Sequence, residues 1–210
     1  MNTPVRTDPP YVPIRSTGWA TRRSPLWVLV VIAVLVVGGV LVGLSRSPSQ
    51  AQRASDLRGF TGDMNYDIES CAGGVGESLS ALQQVESGAS RDVSTAIYIA
   101  NTGAANCSPA NNEQIDDLEN YQVTESLASF RLARVVTGLV NWAAPDAGNV
   151  QTDVAAVLKN LGNPQAKARD TAALQKALRT LNAQRAAVDA IINSASRSLS
   201  AHASPPKLPG

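Results

Sequence analysis

Histidine is all but missing from this sequence: among 210 residues, His202 is the only one. Catalysis by a Ser-His-Asp or Cys-His arrangement needs an imidazole set beside a partner. His202 instead sits in the end segment AHASPPKLPG. Cysteine is nearly as scarce, with Cys71 and Cys107 alone. A zinc site wants several Cys or His ligands at short spacing, which this chain does not supply. Aromatic residues make up only 4% of the chain, no segment alternates polar and apolar residues as a half-buried strand would, and no internal repeat is present. Charge of one sign is lacking too. From residue 45 onward 14 basic residues face 16 acidic ones, which gives no electrostatic footprint for nucleic acid. No cofactor, metal or nucleic-acid partner is expected, and no enzymatic activity is assigned.

What is abundant is alanine, in a pattern suited to helices that touch through small side chains. One uncharged run stands apart: PLWVLVVIAVLVVGGVLVGL, Pro25–Leu44, bracketed by Arg23 and Arg46. At ~1.5 Å per residue it spans the ~30 Å hydrocarbon core as a helix, because lipid requires every backbone group to be satisfied internally. Trp27 sits at the depth of an interfacial anchor. The run is longer than a secretory h-region, although Ser49-Gln50-Ala51 would suit a signal peptidase. Thr21–Leu26 partly resembles a twin-arginine signal, but Pro25 stands where an apolar residue belongs. Arginines flank both sides, so the positive-inside bias is slight. The cysteine pair, which favours an oxidising compartment, places the C-terminal domain outside the cytoplasm. Residues 1–24 form a proline-bearing cytoplasmic tail without room to fold. DPPYVP, Asp8–Pro13, favours polyproline II, either as a docking motif or as a plain leader.

Residues 45–54 read as a linker, with Pro48 opposing helix continuity. A helical domain is expected over 55–200. Leu57, Phe60, Met64, Ile68, Cys71, Val75, Leu79 and Leu82 step by 3 or 4 along one face. A second, short helix follows Ser90 and Asp92, carries Val93, Ala96, Ile97, Ala100 and Ala104, and ends near Gly103. A third begins at Asn111 or Asn112 and runs through Leu118, Tyr121, Ala128, Leu132, Val135 and Leu139 to Trp142–Pro145. Its acidic start, Glu113, Asp116, Asp117 and Glu119, suits a helix dipole and lacks the spaced oxygens of a calcium loop. A short segment holds Val150, Val154, Val157 and Leu158, and Gly162-Asn163-Pro164 breaks it. The last helix carries a heptad seam of Leu174, Leu178, Leu181, Arg185, Val188, Ile192, Ala195 and Leu199. Arg185 either lies at the seam's edge with its head outward or pairs with a carboxylate of another helix. Residues 201–210 read as a disordered tail. The fold class is all-α: one transmembrane helix followed by an antiparallel four-helix-type bundle.

The stretch ESCAGGVGE, Glu69–Glu77, raises a sharper question. It superficially resembles a phosphate-cradling loop, but Glu77 stands where a P-loop has lysine, and Ile68 and Cys71 lie on a helical stripe rather than after a strand. Asp67, Glu69 and Glu77 would disfavour a reactive thiolate. A hairpin turning near Ser87–Arg91 sets Cys71 level with Cys107. Packed helices stand ~8–10 Å apart, whereas a disulfide needs Cα atoms ~5.5–6 Å apart. Gly73, Gly74 and Gly76 on one helix, with Gly103 opposite, would permit that approach. A Cys71–Cys107 disulfide is therefore expected. Asn106-Cys107-Ser108 is formally a glycosylation sequon, but a bonded cysteine and Pro109 make it accidental.

Two functions from different classes fit. One is a non-enzymatic, bilayer-anchored scaffold or accessory subunit for another membrane or envelope protein. The other is a ligand-sensing or solute-binding bundle with a polar pocket around Arg185, Tyr121 and Trp142.

Overall fold

The computed structural model describes residues 48–209, all helices, turns and extended connections. The apolar run Pro25–Leu44, its arginine flanks and the proline-bearing tail lie outside the described residues. Among the described residues no helix is long and apolar enough to cross a membrane.

Helix α1 spans Gln50–Glu86, so the helix begins inside the segment expected to be a linker. Pro48 does not oppose it, because Ser49 starts the helix behind the proline: its Oγ accepts from Gln52 N at 3.1 Å. Such a cap contributes about 1 kcal/mol. The predicted stripe is the buried one, with Leu57, Phe60, Met64, Ile68, Cys71, Val75 and Leu82 covered and Leu79 packed beside them. Each fully buried large side chain contributes about 1.5–3 kcal/mol. The chain reverses at Gly88, whose φ of +76° glycine adopts without strain. Asp92 caps α2 (Val93–Asn106) by accepting from both the Thr95 amide at 2.9 Å and the Thr95 hydroxyl at 2.7 Å.

The expected long third helix is instead two helices. α3 (Glu113–Glu119) is capped by Asn112 and stops where Asn120 turns its side-chain amide back onto the Asp116 carbonyl at 2.9 Å. Side chains that bond their own backbone in this way compete with the helix. A 3-10 turn over Glu125–Phe130 follows, Arg131 takes a left-handed φ of 58°, and α4 (Leu132–Asn141) begins in a new phase. The break buries Leu127 and leaves Ala128, expected on the inner face, exposed. A wide turn over Trp142–Ala147, kinked at Ala144, leads into α5 (Gly148–Lys159). α6 (Pro164–Leu199) starts with proline at its first position behind Asn163, which accepts from Ala166 N at 3.2 Å.

α1 pairs with α2, α2 with α5, α5 with α6 and α6 with α4, while α3 and α5 also touch α1. The result is a helical bundle around one apolar core. α6 runs antiparallel to α1: Lys167 pairs with Glu86 at 2.9 Å at one end, and Arg58 Nη1 donates to the Ala201 carbonyl at 3.1 Å near the other.

The segment after α6 departs from the expected disordered tail. Over residues 201–209 it folds back as a strap along α1, burying Ala201, Ala203 and Leu208. Ala203 N donates to Ser196 Oγ at 2.9 Å, and Lys207 N donates to Asn65 Oδ1 at 3.3 Å. Proline-rich composition suggested disorder, but apolar anchors along it hold it to the bundle.

Candidate functional site

The chemistry of this chain concentrates where α1 and α2 cross. Cys71 and Cys107 form a disulfide, with their Cα atoms 4.7 Å apart, closer than packed helices normally stand. One helical turn away, Gly74 and Gly103 meet backbone to backbone: a methyl group on Gly74 would lie 3.0 Å from the Gly103 Cα. Gly73 and Gly76, expected at the same crossing, are not part of it, and nothing would lie within 4 Å of a methyl group on either. The reason is angular. Successive helical residues point about 100° apart, so only one of Gly73 and Gly74 can face α2.

A third helix closes the junction, and sequence reasoning missed it. Gln151 of α5 is fully buried, and its Nε2 would lie 2.7 Å from a methyl group on Gly103 and 3.0 Å from one on Gly74. Neither its amide nitrogen nor its oxygen has a hydrogen-bond partner. Ser78 Oγ, also buried, donates to the Gly74 carbonyl at 2.7 Å. The connection after Cys107 is tied down by Asn112, whose Nδ2 donates to Ser70 Oγ at 2.8 Å and to the Asn106 carbonyl.

The three residues proposed to line a polar pocket do not converge. Trp142 is wholly buried in the core, with no acceptor for its indole N–H. Tyr121, just past α3, donates from its hydroxyl to Asp63 Oδ2 at 2.9 Å and meets Phe60 edge-on, with centroids 5.7 Å apart. Burial, then this bond to Asp63, pushes the Tyr121 phenol well above its ordinary range. Arg185 stands at the edge of the α6 seam, with its side chain 43% exposed, and its Nε lies 3.7 Å from Asp189 Oδ2 on the same helix.

Beside Tyr121 lies an acidic junction that was not anticipated. Asp67 of α1 is buried, and burial first, then the charges of Asp117 and Asp63, pushes its carboxyl up to about 6. Of the acidic start of α3, Asp117 alone takes part. Among the described residues, no group of three or more His, Cys, Asp or Glu side chains is placed to hold a metal ion.

Open grooves also lie among the described residues. One of about 720 Å³ lies between α1, α6 and the strap and is lined by Arg185. A smaller one of about 290 Å³, between α5 and α6, is lined by Asp146, Asp153 and Lys176. Burial raises the carboxyls of Asp146 and Asp153, the latter helped by the charge of Asp170.

No protein-family model, no curated protein and no solved structure matches this chain.

Proposed function

We propose that this chain is a single-pass, membrane-anchored module whose helical domain lies outside the cytoplasm and serves as a non-enzymatic accessory or scaffold subunit for another envelope protein. The anchor is the uncharged run Pro25–Leu44. The compartment is argued from the Cys71–Cys107 bond, since disulfides persist where the surroundings are oxidising.

The observation that carries the scaffold reading is the outer face of α2. From Val93 to Asn112 no residue is charged, yet α2 buries only Ala96, Ala100 and Gly103. Tyr98 projects from it with 69% of its surface exposed, and Val93, Ile97 and Ile99 are only partly covered. Charge depletion with an exposed tyrosine is the composition of an interface core rather than of a solvated helix.

A photo-crosslinking residue in place of Tyr98, in the full chain in its native membrane, tests this reading. An adduct with one envelope protein is expected, and it should vanish when the crosslinker is moved to exposed Glu77 on α1. Equal, diffuse labelling from both positions, or recovery of monomer alone, would overturn it.

A further inference from the structure

Charge is spread unevenly over the bundle. At the end where α1 begins, Arg58 Nη1 donates to the Ala201 carbonyl at 3.1 Å, which sets Arg53 and Arg58 beside the last turn of α6 and its Arg197. Ser126 Oγ donates to Asp56 Oδ2 at 2.6 Å, so the turn leading into α4 starts at the same end. α4 then climbs away from it, because a methyl group on Gly138 would lie 2.9 Å from Val188 Cγ2, well above Arg197 on α6. Arg131 and Arg134, at the foot of α4, therefore join the group.

Five arginines thus gather at this end against only Asp56 and Glu125. The other described residues hold eight basic side chains against 14 acidic ones, so this end is positive on a bundle that is negative elsewhere. Arg58, Arg131, Arg134 and Arg197 are exposed, and none of the five pairs with a carboxylate among the described residues. At the opposite end Lys167 and Arg169 are both paired, with Glu86 and Asp170. Like charges collected without partners repel one another, so packing alone does not favour the arrangement. All four lysines of the chain lie elsewhere. An end built of arginine alone presents planar forks that match phosphate oxygens two at a time.

We propose that this end of the bundle docks on an anionic bilayer surface, its arginines holding the phosphodiester groups of lipids. The choice of lipid rests on the anchor reading. Residues 45–48 alone separate the apolar run from Ser49, which caps α1, and extended chain of that length reaches at most about 18 Å. On that reading the arginines face headgroups, and each contributes about fivefold in affinity for an anionic surface. The uncharged outer face of α2, packed against the later half of α1, is left to a protein partner.

Arginine modification by phenylglyoxal, read residue by residue by mass spectrometry, tests the assignment on the full chain in two kinds of vesicle. One is phosphatidylcholine alone, and the other is an equal mixture with phosphatidylglycerol. Arg58, Arg131, Arg134 and Arg197 should react about fivefold or more slowly in the anionic vesicles. Exposed Arg91 and Arg179, which lie away from this end, should react alike in both. The difference should vanish at about 1 M salt, where the screening length falls to about 3 Å. Equal reactivity of the four arginines in both vesicles would overturn the proposal, and so would equal slowing of Arg91 and Arg179. Protection as strong from polyglutamate added to phosphatidylcholine vesicles would overturn lipid as the partner, in favour of an acidic protein. The anchor has its own readout, since the chain should stay with pure phosphatidylcholine vesicles through an alkaline wash. Release there would overturn the anchor and not the docking, which the anionic vesicles still report.

Discussion

Gly103 of α2 lies against Gly74 of α1 so closely that a methyl group on Gly103 would stand 3.1 Å from the Gly74 carbonyl oxygen. Backbone cannot give way as a flexible side chain can, so the two helices would have to part. Gly103→Ala should destabilise the domain by about 1–3 kcal/mol, the usual cost of overpacking. Gly76→Ala adds the same methyl group to α1 where nothing lies within 4 Å. It should stabilise by up to about 1 kcal/mol through helix propensity. Denaturant unfolding of both variants beside the parent chain checks the opposite signs. Destabilisation by both would mean that the crossing is not what distinguishes these glycines.

The disulfide beside that crossing joins residues 36 apart in sequence. Closing a loop of that length removes unfolded-state entropy equivalent to about 4 kcal/mol in the chain-entropy model. Cys71→Ser with Cys107→Ser should lower stability by that order. The parent chain, recovered from an oxidising compartment, should show no free thiol by mass after alkylation without reductant. Two alkylated cysteines in that material would contradict the bond, and with it the argument for compartment.

Gln151 is the third member of the junction and the least comfortable. An enclosed amide without partners costs about 1–3 kcal/mol in unreturned desolvation. Gln151→Met keeps length and approximate volume while removing both polar atoms. It should leave the fold intact and raise stability by about 1 kcal/mol or more, read as a shift in the unfolding midpoint at unchanged slope. A loss of stability would show that the amide makes a favourable interaction in solution.

Long periodic elements were legible in the sequence. The α1 stripe from Leu57 to Leu82 and the α6 seam from Leu174 to Leu199 repeat often enough to fix both phase and face. The α1–α2 register was legible for a different reason, since two cysteines with a single pairing pin one helix against the other. The break after Glu119 was hidden because Leu118, Tyr121, Ala128 and Leu132 fit one helical period by coincidence. What ends α3 is a local side-chain bond at Asn120, which periodicity does not register. Gln151 was invisible because a glutamine in a helix reads as exposed. The strap was missed because its anchors, Ala201, Ala203 and Leu208, are too few and too widely spaced to form a pattern. The groove was beyond reach in principle, as it joins side chains from α1, α6 and the strap.

Leu208 gives that strap a measurable contribution. It is 4% exposed near the end of the chain, and Lys207 beside it donates its backbone N–H to Asn65. Leu208→Ala removes a buried side chain at a place where the backbone can yield, so the cost should sit near the low end of the range for such truncations, about 2 kcal/mol. Hydrogen exchange should show the amides of Ala203 and Lys207 losing protection before those of α1 and α6. Protection unchanged in the variant would mean that Leu208 does not anchor the strap.

Asp67 makes stability depend on pH in a direction opposite to that of a salt-bridged carboxylate. Its carboxyl is pushed up to about 6 in the folded domain from an ordinary 3.8. Between those values the folded state keeps a proton that the unfolded chain has released, so stability falls as pH rises from about 4 to about 6. Above that window the full cost of burying the charge beside Asp63 and Asp117 remains, about 3 kcal/mol. Asp67→Asn removes the ionisation while keeping the shape. It should match the parent chain near pH 4 and exceed it by about 2–3 kcal/mol at pH 7. Asp146 and Asp153 are also raised and contribute a slope of the same sign. The informative quantity is therefore the difference between variant and parent measured at both pH values. Parallel profiles across the window would assign the pH dependence elsewhere.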